Sequence, residues 1–270
     1  MLVINGPLLR HTWRSHGLRV ALIALALGAW GFLMPVIYAT FGVQMETLLH
    51  SGIIPDAFLR LLGADPFSLS GAVALGSIHP VALGLQLIYP VGFAAMAIAG
   101  ERQRGTLEVL LSRPVSRRSV FATLLLATAA FALLTTVGQV GGTLLGATLY
   151  GVAGQLDAGE VVFLGLNTAT LLVALAAVSL AASSVHDRAS MPVAIGLALV
   201  IGGYVLEVLG TLWPDAAFLQ PLSPFHYLRP LEILAGRGEP TDILVLVVLG
   251  VAAAAFGLWR FPRRDLAAPT

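Results

Sequence analysis

The sequence predicts an all-α integral membrane protein: six transmembrane helices, an N-terminal interfacial amphipathic helix, and a short cytoplasmic helix between the second and third spans. Three observations lead there. Only 11% of the 270 residues are charged and 57% are hydrophobic, against roughly 25% charged in an ordinary soluble domain, so the chain lacks the residues to cover a soluble surface. Six apolar runs approach the ~20 residues a helix needs to cross a bilayer's hydrocarbon core. The arginines gather in alternate connecting segments, as expected of a multi-pass chain whose basic loops resist translocation.

Composition also excludes several chemistries. There is no cysteine, hence no disulfide framework and no thiolate metal site. All the basic residues are arginine, and a chain without lysine can build neither a Walker A phosphate loop nor a Schiff base. If ATP is used, another chain binds it.

The first element, residues 2–17, mixes Leu8, Leu9 and Trp13 with Arg10, His11, Arg14 and His16. Trp at headgroup depth and Arg against anionic lipid make an interfacial helix; the alternative is a disordered flank that only fixes topology. The six spans cover about 18–41, 73–99, 120–150, 161–185, 192–212 and 243–259 in one membrane domain over residues 1–270. With both termini in the cytoplasm, the inner segments hold Arg10, Arg14, Arg19, Arg102, Arg104, Arg113, Arg117, Arg118, Arg188, Arg260, Arg263 and Arg264, and only Arg60, Arg229 and Arg237 fall outside. Most carboxylates lie outside, in and around the extracytoplasmic segments 42–72 and 214–242. The first of these holds an apolar piece near 57–62. The second is dense in proline, which predicts short helices at the outer leaflet or a re-entrant element.

The third span carries Gly138, Gly142 and Gly146 on one face. Small residues at this spacing let a neighbouring helix approach closely, within one chain or between two. Pro35 and Pro90 predict kinks or helix ends. Gln86 and Gln139 fit hydrogen bonding between helices. Glu207 is the one carboxylate inside a predicted span, but it lies near the outer end, where a snorkelling side chain is a simpler reading than a proton or substrate site. His79, His186 and His226 have no metal-ligand spacing, and nothing points to nucleic acid.

Residues 100–118 form the densest charge cluster. Leu107, Leu110 and Leu111 stand at i, i+3 and i+4, so a helix from about Thr106 to Ser112 gathers them on one face. Pro114 ends it. Ser116 caps the next helix, with Val115 and Val120 placed as a hydrophobic staple. The leucine face needs cover, and spacing leaves three candidates open: membrane surface, the protein's own helices, or a partner's groove.

The run Glu-Arg-x-x-Gly-Thr-Leu-Glu-x-Leu-Leu-x-x-Pro-Val-Ser-Arg, from Glu101 to Arg117, resembles the signature of bacterial ABC type 2 transporter permeases. The resemblance implies that this segment holds a coupling helix. Glu101, Arg102, Gly105, Thr106, Leu107, Glu108, Leu110, Leu111, Pro114 and Arg117 would then form or support the contact with a cytoplasmic ABC ATPase. Gly105 and Pro114 would bound the helix. It further implies two ATPase copies that bind ATP and Mg, a second permease copy giving a homodimer, surrounding membrane lipid, and placement in the bacterial inner membrane, with export as the family's usual direction. No cofactor and no catalytic residue are expected in this chain. The sequence departs from many relatives near Thr123, where they carry a lysine. An ion-driven secondary transporter, kept as an alternative, would need buried charge or broken helices near the membrane midplane, a description that only Glu207 approaches; a membrane enzyme would need convergent nucleophile, base or metal ligands, and the sequence shows no such set. An ABC assembly doing mechanical or maturation work, instead of pumping, is the alternative that the sequence leaves open.

Overall fold

The structure, a computed structural model, describes residues 4–49 and 68–264. Its helices are α1 (Gly6–Leu49), α2 (Leu69–Ile78), α3 (Pro80–Ile88), α4 (Pro90–Met96), α5 (Ala99–Gln103), α6 (Thr106–Leu111), α7 (Arg117–Leu149), α8 (Ala158–Val185), α9 (Ser190–Leu212) and α10 (Pro240–Arg260). No strand occurs among the described residues. This is an all-α integral membrane protein. α1, α7, α8, α9 and α10 are each long and apolar enough to cross a membrane, and α2 with α3–α4 is a bent pair long and apolar enough to count as a sixth, broken span or as a re-entrant loop. The expected apolar piece at 57–62 lies outside the described residues.

Helices suit this environment because each satisfies its own backbone hydrogen bonds where water is absent. The polar side chains inside follow the same rule. In α7 the hydroxyls of Thr123, Thr128, Thr135, Thr136 and Thr143 each donate to the carbonyl four residues earlier. Those threonines are buried and internally satisfied.

Two expectations need correction. Residues 2–17 were expected as a separate interfacial helix, but from Gly6 onward they continue without a break into the first span. Pro7 stands in the first turn, where proline is tolerated, and no proline follows it until Pro35, so nothing of that kind stops the helix between them. At 44 residues α1 is roughly 66 Å long at 1.5 Å per residue, twice a hydrocarbon core of about 30 Å, so it must project beyond the bilayer. The second span was expected as one helix over 73–99. It starts at Leu69 and bends by 48° between Leu69–Ile78 and Pro80–Met96. Pro80 is the cause: it lacks an N–H and disfavours helical backbone before it, and His79 takes an extended conformation at φ −60, ψ 135. Tyr89, before Pro90, stays helical.

α7 and α8 form the centre, with 61% of each apolar window buried against 17% for α9 and for α10. α1 lies along α7 through the glycine face. A Cβ built on Gly138, Gly142 or Gly146 would stand 2.3, 1.9 or 2.6 Å from the carbonyl oxygens of Ala24, Gly28 and Phe32. The seam is therefore inside one chain. Gln86 donates to Gln139 between α3 and α7. Proline-rich residues 214–237 break into short helical pieces (Pro214–Leu222, Pro224–Tyr227, Pro230–Glu232 and Ile233–Arg237). They fold back on the bundle: Ser223 Oγ donates to Gly203 O at 2.8 Å, and Asn167 Nδ2 donates to Tyr227 O at 3.0 Å.

Candidate functional site

The segment between the second and third spans is built from a helix break outward. α4 ends at Met96, and Ile98 at φ −113, ψ −54 precedes the start of α5 at Ala99. The N–H groups of Ile98 and Ala99 both donate to Ser183 Oγ near the end of α8, at 3.1 and 2.9 Å. Gly105 then adopts φ 72, ψ 11. Only glycine takes the left-handed region at little cost, so it can turn the chain sharply into α6 (Thr106–Leu111), which matches the helix read from leucine spacing. The Glu101 carboxylate ties the two short helices together through Arg104 and the Thr106 hydroxyl. Burial alone would raise its pKa, but the Thr106 hydrogen bond and Arg104 prevail and hold it below the ordinary carboxylate range.

Of the three possible covers for the leucine face, the protein's own helices provide it. Leu107 is 1% exposed in a cluster with Ala94, Ile98, Val120, Phe121, Leu180 and Phe261, and Leu110, Leu111 and Val115 pack against that cluster. The outward surface consists of Gln103, Arg104, Gly105, Thr106, Val109, Ser112, Arg113, Pro114, Ser116 and Arg118. Val109, between the inward leucines, is 65% exposed. Both Glu108 carboxyl oxygens are shielded from solvent with no hydrogen-bond partner among the described residues. After Pro114, Ser116 caps α7 by accepting from Ser119 N at 3.1 Å, Val120 is buried in the Leu107 cluster, and Val115 packs against that cluster.

Residues far away in sequence close the arrangement. Arg102 pairs with Asp187 at 2.9 Å, and Arg264 pairs with the same carboxylate. Arg264 also donates to Ser184 O and His186 O, at 3.3 and 3.0 Å. Gln103 Oε1 accepts from Ala189 N at 3.1 Å. Arg117 donates to the carbonyls of Pro262 and Arg264. The start of α1 arrives from another side: Asn5 N donates to Thr123 Oγ1 at 2.9 Å, and Leu8 packs on the Leu107 cluster. His16 Nδ1 lies 2.7 Å from Tyr89 Oη, in an aromatic group around the fully buried Phe131. Sequence reasoning did not single out Ser183, Asp187 or Arg264; the available signal was Asp187 itself, an acid in a turn at the arginine-rich end.

Two further features lie away from this segment. Between α3–α4 and α9 runs an apolar groove of about 470 Å³, lined by Leu83, Gly84, Leu87, Val91, Gly92, Leu197 and Tyr204 among others. At the opposite end Glu207 accepts from Gln220 Nε2 at 3.2 Å and stands 3.5 Å from His226 Nδ1. Arg229, at the strained φ of 32, reaches His226 Nε2 at 3.0 Å and Asp242 at 3.7 Å. Glu207 is thus engaged by the folded-back proline-rich segment.

Among known protein families, the model of the ABC-2 family transporter proteins matches residues 17–266. No curated protein matches the chain significantly.

Proposed function

This chain belongs to the ABC-2 transporter family, and we propose that it is a permease subunit that docks a cytoplasmic ATPase through the outward face of residues 100–118 and uses it to drive export. The arginine-rich end is the cytoplasmic one, which puts both termini inside and the 214–237 pieces outside. The assembly is a homodimer of permeases with two ATPase subunits in the bacterial inner membrane, and ATP and Mg reside on the ATPases.

The observation that carries this reading is the posture of α6. Leu107 roots the helix in the bundle while Arg104, Val109 and Arg113 face outward. A buried anchor with an exposed basic and apolar surface suits a lever that a second protein pushes. In this division of labour Leu107, Leu110 and Leu111 support the contact from behind, Gly105 and Pro114 bound the lever, and Glu101, Arg102, Thr106 and Arg117 fix its base. Glu108 fits as well: a buried carboxylate without a donor is costly, and a donor from a docked subunit would remove that cost.

The test is to express the chain with its neighbouring reading frames and ask whether a Walker-motif ATPase copurifies, before and after Val109→Glu with Arg113→Glu. Those side chains are exposed, so the variant folds, and the expected result is a monodisperse permease that has lost its ATPase. Undiminished copurification, or no ATPase with the unaltered chain, refutes the docking surface. The chain has no cysteine, so single cysteines at Val109 and Gly154 labelled by a membrane-impermeant maleimide in intact cells test orientation. Labelling only at Gly154 is expected.

A further inference from the structure

The second and third spans receive any movement of residues 100–118 through the chain itself, yet the polar side chains at the base of that segment reach elsewhere. We infer that Asp187, with Ser183 and Gln103 beside it, is the joint through which the coupling segment moves α8 and α9. The inference rests on the ATPase-docking reading above and adds a route for the force.

Three independent contacts cross the same boundary. Ser183 Oγ accepts the N–H groups of Ile98 and Ala99, which the helix break leaves without intrahelical acceptors, and Ser183 itself is 0% exposed. Gln103 holds Ala189 N, the residue before α9. Asp187 binds Arg102 from α5 and Arg264 from the end of the described chain. The two guanidinium side chains are only 13% and 11% exposed, whereas Asp187 is 63% exposed. One carboxylate therefore bridges two largely desolvated like charges and offsets part of the repulsion they would otherwise exert across the boundary. Any displacement of α5 must drag the 186–189 turn or break these contacts together.

The turn is also the root of α9. Higher up, α9 supplies one wall of the apolar groove through Val193, Leu197, Val200 and Tyr204, and α3–α4 supply the other. Both walls are thus tied to the same short segment: α4 through the backbone, α9 through Asp187, Ser183 and Gln103. Movement of α5 changes the groove from both sides. Asp187 acts here as a positioning residue, with no contact to cargo or nucleotide.

The experiment uses the full permease–ATPase complex in nanodiscs, with spin labels at Gly84→Cys and Leu197→Cys across the groove of an otherwise cysteine-free permease. The parent complex is expected to change its label distance between the nucleotide-free and ATP-bound states. Asp187→Asn is expected to keep the ATPase bound and lose the change, and Asp187→Glu to restore it. An unchanged ATP response in Asp187→Asn overturns the joint, as does a parent groove that ignores ATP. Loss of the ATPase from the parent instead overturns the docking reading, so the two failures are distinguishable. Gln103→Ala, at an exposed site, is the companion variant should Asp187→Asn not fold; a full-sized ATP response in it would overturn the inference equally.

Discussion

Glycines line two interhelical seams of this protein, and in each they do something different. Along α1 and α7, Gly138, Gly142 and Gly146 lie so close to the opposing backbone that a built Cβ falls within 2.6 Å of it. Along the groove between α3–α4 and α9, Gly84 and Gly92 would meet nothing within 4 Å. In the first seam the absence of a side chain is filled by another helix, and packing at that distance joins α1 and α7 into one body. In the second it widens an apolar gap. Small residues thus mark either a locked contact or room, and only the partner across the seam decides which. The proposed export cycle needs both: a body that resists and a wall that shifts.

The largest effect that can break this comparison is at Gly142. A leucine there would have to displace the Gly28 backbone, since even its Cβ would stand 1.9 Å from that carbonyl oxygen. Overpacking usually costs about 1–3 kcal/mol, and a backbone clash belongs at the upper end. Gly142→Leu is expected to abolish monodisperse protein in size-exclusion chromatography. Gly84→Leu is expected to leave the elution profile intact. Equal behaviour of the two would end the distinction between the seams.

Next in size is the root of α6. Leu107→Ala removes a side chain that is 1% exposed, and buried Leu→Ala changes cost about 2–5 kcal/mol. Val109→Ala, two residues on and 65% exposed, belongs with surface changes of roughly 0.5 kcal/mol or less. Thermal unfolding followed by scattering is expected to show a clear loss of midpoint for the first and almost none for the second. Were Val109 the costly one, the lever would face the other way.

These residues also show what the sequence could and could not reveal. The spans were legible because hydropathy over a window of twenty residues reports the solvent, whatever the neighbours are. α6 was legible because leucine spacing, Gly105 and Pro114 act locally, as does the Ser116 cap. The cover of the leucine face was not, since Phe261 and Leu180 come from distant parts of the chain. Nor was the Asp187 joint, whose partners Arg102 and Arg264 meet only after six spans have packed. The helix end at Pro90 was legible, since one helix stops at Ile88 and the next starts at Pro90, but the larger bend at Pro80 was not: the sequence does not say that His79 turns extended where Tyr89 stays helical. The glycine face announced a contact and left its partner open between this chain and a second copy.

Smaller effects sharpen the comparison. Gly92→Ala adds a methyl where nothing stands within 4 Å and replaces glycine inside a helix, a change worth up to about 1 kcal/mol in favour of alanine. Its unfolding midpoint is expected to hold or rise. The same substitution at Gly146, whose Cβ would lie 2.6 Å from Phe32 O, is expected to lower it. Opposite signs for one chemical change would show that the seams differ in space and not in helix propensity.

The smallest expected effect is electrostatic and separates the two seams by pH. The α1–α7 glycine contacts run between backbone groups that do not titrate, whereas the α5–α6 knot at the foot of the groove holds Glu101 with Arg104 and Thr106. Burial works against the Glu101 charge, but the hydroxyl and the guanidinium outweigh it and keep its pKa below the ordinary range. A carboxyl depressed in the folded state contributes stability above its unfolded value, about pH 4.3, and that contribution is lost as pH falls through the lower folded value. The pair is partly exposed and screened, so the gain is a surface-type one. Acid is therefore expected to loosen the α5–α6 knot first. Hydrogen exchange at Thr106–Leu111 should rise below that pH while exchange at the glycine face of α7 stays level. Glu101→Gln is expected to show the faster exchange already at neutral pH and no further acid step. A step of undiminished size in Glu101→Gln would assign the acid response to another group.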